Sequence, residues 1–211
     1  MRTSSGTRSA AAEAVRAELP LLVATRGTWA LTAAANLPVF LADHAVCEQQ
    51  VAMYSLSLAG YYPDDLELVE RAGALAAEEV QHFRRVVAIL KKRGWPLAGR
   101  RPNRWARALR QRIEVGREPI TKVDRLLFGA IIEARSCERF TCLLDEIRDS
   151  DPEVARLLAD LGPAEKRHWE MFRELAAREI PTDELQPRFR GWLEFERELQ
   201  QTLGVEPTVH G

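Results

Sequence analysis

The sequence predicts an all-α protein, a four-helix bundle with one long crossover, flanked by peripheral N- and C-terminal helices. Three observations lead there. Apolar residues recur at helical spacing, and no stretch alternates long enough to be a strand. Pro and Gly gather at a few positions that mark helix ends rather than many β-turns. Four long helical stretches form two pairs, each joined by a tight turn, and the connection of about 25 residues between the pairs can travel the length of a bundle.

A first helix is expected over about 8–25. A second runs from about 37 to 59, closed by Gly60 and the turn Tyr61-Tyr62-Pro63-Asp64-Asp65. A third covers about 64–93, where Lys91, Lys92 and Arg93 suit the last turn and Gly94 stops it. Residues 94–118, interrupted by Pro and Gly, form the crossover. Glu118-Pro119 opens a fourth helix, about 119–148, whose apolar stripe includes Ile120, Val123, Leu127, Ile131 and Ala134. Asp149-Ser150-Asp151-Pro152 ends it and supplies an N-cap, with proline in the first turn, for a fifth helix over about 152–179. The chain reads as one domain over 1–211, with a bundle core at about 37–179 and a crossover at about 91–118. This arrangement is ferritin-like. An irregular helical array without a central bundle is the alternative.

Composition narrows the function. The chain has 211 residues, 46% of them hydrophobic and 29% charged, which excludes wholesale disorder and collagen-like repeats. A formal charge of -1 gives no global attraction to nucleic acid or membrane, so any such signal must be local. The longest weakly polar stretch, Trp29 to Ala42, is interrupted by Asn36 and Pro38 and is shorter than the roughly 20 residues a bilayer requires. Residues 1–19 contain Glu13 and Glu18 and no apolar core of a leader, so a cytoplasmic protein without a membrane partner is expected. Cys47, Cys137 and Cys142 lack CxxC spacing and fit reduced thiols in helices.

The chemistry lies in the histidines. Of only four, His44, His82, His168 and His210, two complete Glu-x-x-His, as Glu79-Val80-Gln81-His82 and Glu165-Lys166-Arg167-His168. Each motif falls on the second helix of a pair. Residues i and i+3 share a helix face, so carboxylate and imidazole can reach one ion, and two such helices facing each other give two metal positions. A pair of iron ions also needs carboxylates from the other two helices. Glu48 sits among Leu41, Ala45, Val51 and Ala52, and Glu133 among Leu126, Gly129, Ala130 and Cys137, all at helical spacing. An ionised Glu in such surroundings is costly unless a positive charge compensates it. The separations match, at 31 residues from Glu48 to Glu79 and 32 from Glu133 to Glu165. Glu138 is the rival of Glu133, but its neighbours Arg135 and Asp145 read as solvent-facing. Glu78 competes with Glu79 in the same way, and the symmetric Glu165 motif, preceded by Ala164, favours Glu79. His44 reads as a partly buried structural histidine, with support of Glu48 as the other option, and His210 reads as tail.

A basic segment adds a second signal. Lys91, Lys92, Arg93, Arg100, Arg101, Arg104, Arg107, Arg110 and Arg112 fall within 22 residues that hold no acidic one, with Trp95 and Trp105 between them. That suits a phosphate backbone with base stacking, and Lys91 to Arg107 are the candidate nucleic-acid contacts. The plainer reading is a solvated loop and an amphipathic helix whose arginines meet acidic surface elsewhere.

Several strings together carry a family resemblance. Asp43-His44-Ala45-Val46-Cys47-Glu48, Glu78-Glu79-Val80-Gln81-His82-Phe83, Ile132-Glu133-Ala134-Arg135-Ser136-Cys137-Glu138-Arg139-Phe140 and Glu165-Lys166-Arg167-His168 resemble MiaE, the family of tRNA 2-methylthio-isopentenyl-adenosine hydroxylases. The resemblance spans about 37–178; residues 1–36 and those after 180 carry no part of it. It implies a non-haem di-iron monooxygenase that uses O2 and an external electron donor to hydroxylate the isopentenyl side chain of a modified adenosine in tRNA. By position, it implies that Glu48, Glu79, His82, Glu133, Glu165 and His168 ligate the two iron ions. An iron-handling protein on the same fold, or a di-iron oxidase of another apolar substrate, are the competing functions. The iron-handling protein has no use for the basic segment, and the oxidase predicts a continuous apolar membrane-facing patch that the sequence does not show.

Overall fold

A computed structural model describes residues 9–97 and 103–210. Within them lie α1 (Ala10–Glu18), α2 (Gly27–Ala34), α3 (Leu37–Tyr61), α4 (Leu66–Arg93), α5 (Arg104–Gln111), α6 (Ile120–Ile147), α7 (Pro152–Ala177) and α8 (Thr182–Thr202), with no strand among the described residues. The local chemistry of the helix ends is as the sequence predicts. Asp65 caps α4 by accepting from Leu68 N at 3.1 Å, Gly94 ends it in the left-handed conformation at φ 65°, and Asp151 caps α7 by accepting from Val154 N at 3.2 Å. The N-terminal expectation of one helix over 8–25 is corrected. Pro20 biases Leu19 to extended backbone, so α1 stops at Glu18 and a separate α2 begins at Gly27.

The long helices pair as expected, α3 with α4 and α6 with α7, and the crossover carries α5. Two apolar clusters fill opposite ends of the bundle. One gathers Leu58, Leu75, Leu127, Ile131 and Phe172; the other gathers Phe40, Leu41, Val86, Phe140 and Leu158. Every one of the four helices passes from one cluster to the other, and between the clusters lie the buried Glu48, Glu79, His82, Glu133, Glu165 and His168. The site is thus a polar layer between two dry ones. At Gly129, one turn before Glu133, an alanine Cβ would lie 2.9 Å from the buried Phe172 ring, so glycine lets α6 and α7 approach beside the site.

Helix α6 is enclosed on all sides, because α1, α2, α5 and α8 pack on it as well as α7. This changes the reading of Arg135 and Glu138, which do not face solvent. Arg135 is 0% exposed and Glu138 2%. The Arg135 guanidinium donates to both Glu196 carboxylate oxygens, at 2.8 and 2.9 Å, to the Val23 carbonyl at 3.1 Å, to Thr25 Oγ1 at 3.2 Å, and to Glu138. Thr25 N and Oγ1 donate to Glu138 in turn, at 3.0 and 2.7 Å. A buried charge network therefore ties the α1–α2 linker and α8 to the central helix. Among the described residues no single helix is long and apolar enough to cross a membrane; α2 and α3 pass that test only together, across a bend of 104°.

Candidate metal centre

Four helices deliver six buried side chains to the polar layer. Glu48, Glu79, His82, Glu133, Glu165 and His168 are each 5% exposed or less. They form two groups whose potential ligand atoms lie within 4.8 Å of one another, Glu48, Glu79, His82 and Glu165 in one, Glu79, Glu133, Glu165 and His168 in the other. Glu79 and Glu165 belong to both. His82 Nδ1 stands 3.6, 3.5 and 3.8 Å from carboxylate oxygens of Glu48, Glu79 and Glu165; His168 Nδ1 stands 2.8 Å from Glu79 and 3.9 Å from Glu133. Near as they are, His82 Nδ1, His168 Nδ1, both Glu79 oxygens and one oxygen each of Glu133 and Glu165 are buried without an aligned hydrogen-bond partner. Buried polar atoms left this way are costly. A cation between them would satisfy all six, and a set of carboxylates with imidazoles suits iron.

The electrostatics agree. Burial raises the carboxyls of Glu48, Glu133 and Glu165 well above the usual range, and the charge on Glu79 raises them further. Burial acts on Glu79 in the same sense, but the close approach of Glu48, His168 and His82 outweighs it and holds that carboxyl low. Burial disfavours charged imidazoles, yet the carboxylates beside them prevail, placing His82 at about 10 and His168 at about 9. Without a cation the two imidazoles therefore carry protons near neutrality, and the three raised carboxyls favour their protonated form. A metal must displace those protons. Ferrous or cobaltous binding is expected to release protons and to tighten from about pH 6 to about pH 8, because every raised group must lose its proton to become a ligand. Titration with a pH indicator in weak buffer reads the release; pH-independent binding would contradict the ligand set.

Two supports hold the ligands. His44, wholly buried against Phe40 and Phe140, hydrogen-bonds Glu48 Oε1 through Nε2, and burial pushes its pKa down to about 3, so it acts as a neutral ring. It therefore touches the site rather than serving the core alone. Glu78 is not among the inward-facing carboxylates. It lies at the surface, where its Oε2 meets His168 Nε2 at 3.1 Å and its Oε1 comes within 3.8 Å of His82 Nε2. A carboxylate behind each imidazole fixes the ring so that Nδ1 points to the centre.

A cavity of about 300 Å³ reaches this layer between α3 and α6, under α5. Glu133 closes its inner end; Val51, Phe128, Ile132 and Ala106 make it apolar, and the exposed Arg107 and Arg110 stand at its open side. His210 lines it too, and is not free tail. Its ring stacks on Trp105 with centroids 4.6 Å apart; Nε2 lies 3.1 Å from Ser136 Oγ, and Asn103 Nδ2 donates to Nδ1 at 3.3 Å. Asn103 also caps α5, so His210 anchors the arginine-bearing helix to α6. Of the other basic residues, Lys91 and Arg104 are exposed, whereas Lys92 pairs with Glu153 at 2.6 Å and Arg93 with Asp151 and Glu153 at 2.8 Å. The charge of Lys92 and Arg93 is thus met within the bundle. Arg100 and Arg101 lie outside the described residues.

The family model described as tRNA-(MS[2]IO[6]A)-hydroxylase (MiaE) matches residues 14–211. The chain belongs to the MiaE family. Curated relatives include the tRNA 2-(methylsulfanyl)-N(6)-isopentenyladenosine(37) hydroxylase of Pseudomonas putida KT2440, 38% identical over 152 residues and 72% of each chain. The enzyme of the same name from Salmonella typhimurium LT2 is 26% identical, over 78% of this chain and 76% of its own. Among solved structures, a Synechococcus protein with aldehyde deformylating oxygenase activity matches with TM-score 0.85 and 29% identity, covering 90% of this chain and 95% of that one. The MiaE match extends past the 37–178 of the sequence resemblance at both ends. It includes Thr25, Glu196 and His210, which the resemblance does not reach. Only long-range packing gives those three a role, whereas Glu78 had a local signal, lying one turn before His82 at i, i+4.

Proposed function

We propose that this chain hydroxylates the isopentenyl side chain of 2-(methylsulfanyl)-N6-isopentenyladenosine in tRNA, using dioxygen, two iron ions and an external electron donor. The observation that carries the reading is continuity. Glu133 belongs both to the buried cluster and to the wall of an apolar cavity whose open side bears Arg107 and Arg110. A prenyl chain suits the first and a phosphate backbone the second. Glu48, Glu79, His82 and Glu165 would hold one ion, and Glu79, Glu133, Glu165 and His168 the other. Two ferrous ions bound there would supply the capacity to activate dioxygen.

The chain's own residues do the rest. Val51, Phe128 and Ile132 take the prenyl group and keep water away from it, and His44 and Glu78 keep the ligands oriented. One oxygen atom enters a C–H bond and the other leaves as water, so each turnover takes two electrons and two protons, the electrons from the donor. A free apolar aldehyde would leave Arg107 and Arg110 idle, which favours the tRNA reading over that of an oxidase for another substrate. The test supplies iron-loaded protein, a chemical reductant and isotopically labelled dioxygen to tRNA carrying the prenylated base, followed by mass spectrometry of the nucleosides. The expected product carries one labelled oxygen. Joint Arg107→Glu and Arg110→Glu substitution weakens tRNA binding by about tenfold or more and flattens its salt dependence. Absence of label in the nucleoside would refute the reaction.

A further inference from the structure

The inner cavity does not end at its arginines. A wider groove of about 780 Å³ continues from it, sharing Gln50, Tyr54 and Arg110. Beyond the shared residues the groove is lined by Tyr61, Gln49, Gln111, Val115 and Arg125 among others, and among the described residues by no carboxylate. Its aromatic platform is built rather than incidental. The Arg125 guanidinium lies 4.0 Å from the Tyr61 ring centroid and donates to Tyr62 Oη at 2.9 Å, while Tyr54 Oη donates to the Arg125 carbonyl at 2.6 Å. Tyr61 nevertheless remains 56% exposed, and Val115 beside the groove 75%.

We propose that this groove is a subsite for the nucleotides that flank the reacting adenosine on one side of the RNA strand, an inference that rests on the reading under Proposed function. When one base of a polynucleotide enters the inner cavity, its covalently linked neighbours must cross the rim. The groove offers what unpaired RNA bases use: a ring to stack on, backed by a guanidinium, side-chain amides for base edges, and positive charge for phosphate. Its continuity with the cavity through Gln50, Tyr54 and Arg110 puts that surface one step from the reacting base.

The test uses the full chain, a labelled anticodon-loop hairpin, and the free prenylated nucleoside. Tyr61→Ala and, independently, Val115→Glu are each expected to weaken hairpin binding in fluorescence anisotropy by about tenfold or more, and Tyr61→Trp to restore it. The ratio of kcat/KM for the modified hairpin to that for the nucleoside is expected to fall by the same factor. Damage to the fold moves both substrates together and leaves that ratio alone. An unchanged ratio with unchanged hairpin binding in both variants overturns the subsite while the hydroxylase reading stands. Tyr61-dependent hairpin binding by a wild-type protein that hydroxylates neither substrate overturns the reaction and leaves the groove as an RNA site. Failure of the wild-type protein to bind the hairpin overturns the subsite.

Discussion

Glu79→Ala is expected to abolish metal binding at both positions, whereas His168→Ala abolishes it at one. Glu79 belongs to both groups of converging ligand atoms, as does Glu165, while His168 and Glu133 belong to one and Glu48 and His82 to the other. Anaerobic ferrous titration should fall from about two ions per chain to about none for Glu79→Ala and to about one for His168→Ala. Without metal, Glu79 is the carboxyl held low between the two imidazoles, so its removal leaves His82 and His168 without their shared counter-charge. Metal-free Glu79→Ala should therefore melt lower than the metal-free parent. It also loses the rise in Tm on adding metal, since a ligand stabilises only the fold that binds it. A Glu79→Ala protein that still takes up two ions would sink the shared-ligand assignment.

Arg135→Met is expected to be the most destabilising single change outside the metal layer. Its guanidinium is the principal cation facing two buried carboxylates, Glu138 and Glu196, and both are left in a dry interior when it goes. Breaking such a network from one side costs about 3–5 kcal/mol, readable as a lowered midpoint in urea. Replacing all three residues by apolar ones of similar volume should recover most of that loss, because no charge then remains to be buried unpaired. If the single and triple variants unfold at the same midpoint, the network is not what holds α8 and the α1–α2 linker to α6.

The boundaries of the long helices are legible in the sequence because they are set by local chemistry, Asp65 and Gly94 around α4 and Asp151-Pro152 before α7. The Glu-x-x-His motifs are legible for the same reason: a three-residue spacing fixes a shared face whatever surrounds it. Glu48 and Glu133 follow from their apolar flanks. The first helix ends well before residue 25 because Pro20 disfavours helical backbone at Leu19. Arg135 and Glu138 mislead for a different reason. A polar residue on a helix reads as solvent-facing only if one face of that helix is free, and α6 has none, since α8 and the α1–α2 linker cover its polar side. No local pattern announces that cover. His210 is harder still, because its partners Asn103, Trp105 and Ser136 are more than 70 residues away in the chain.

The position of Glu78 has one more consequence. It reaches His168 and His82 from the solvent side, between α4 and α7, while the apolar cavity reaches Glu133 between α3 and α6. The centre thus has two doors on opposite flanks, a wet one through a carboxylate that can exchange protons with bulk water and a greasy one for a hydrocarbon chain. Water-borne traffic and an oily guest need never queue at the same entrance.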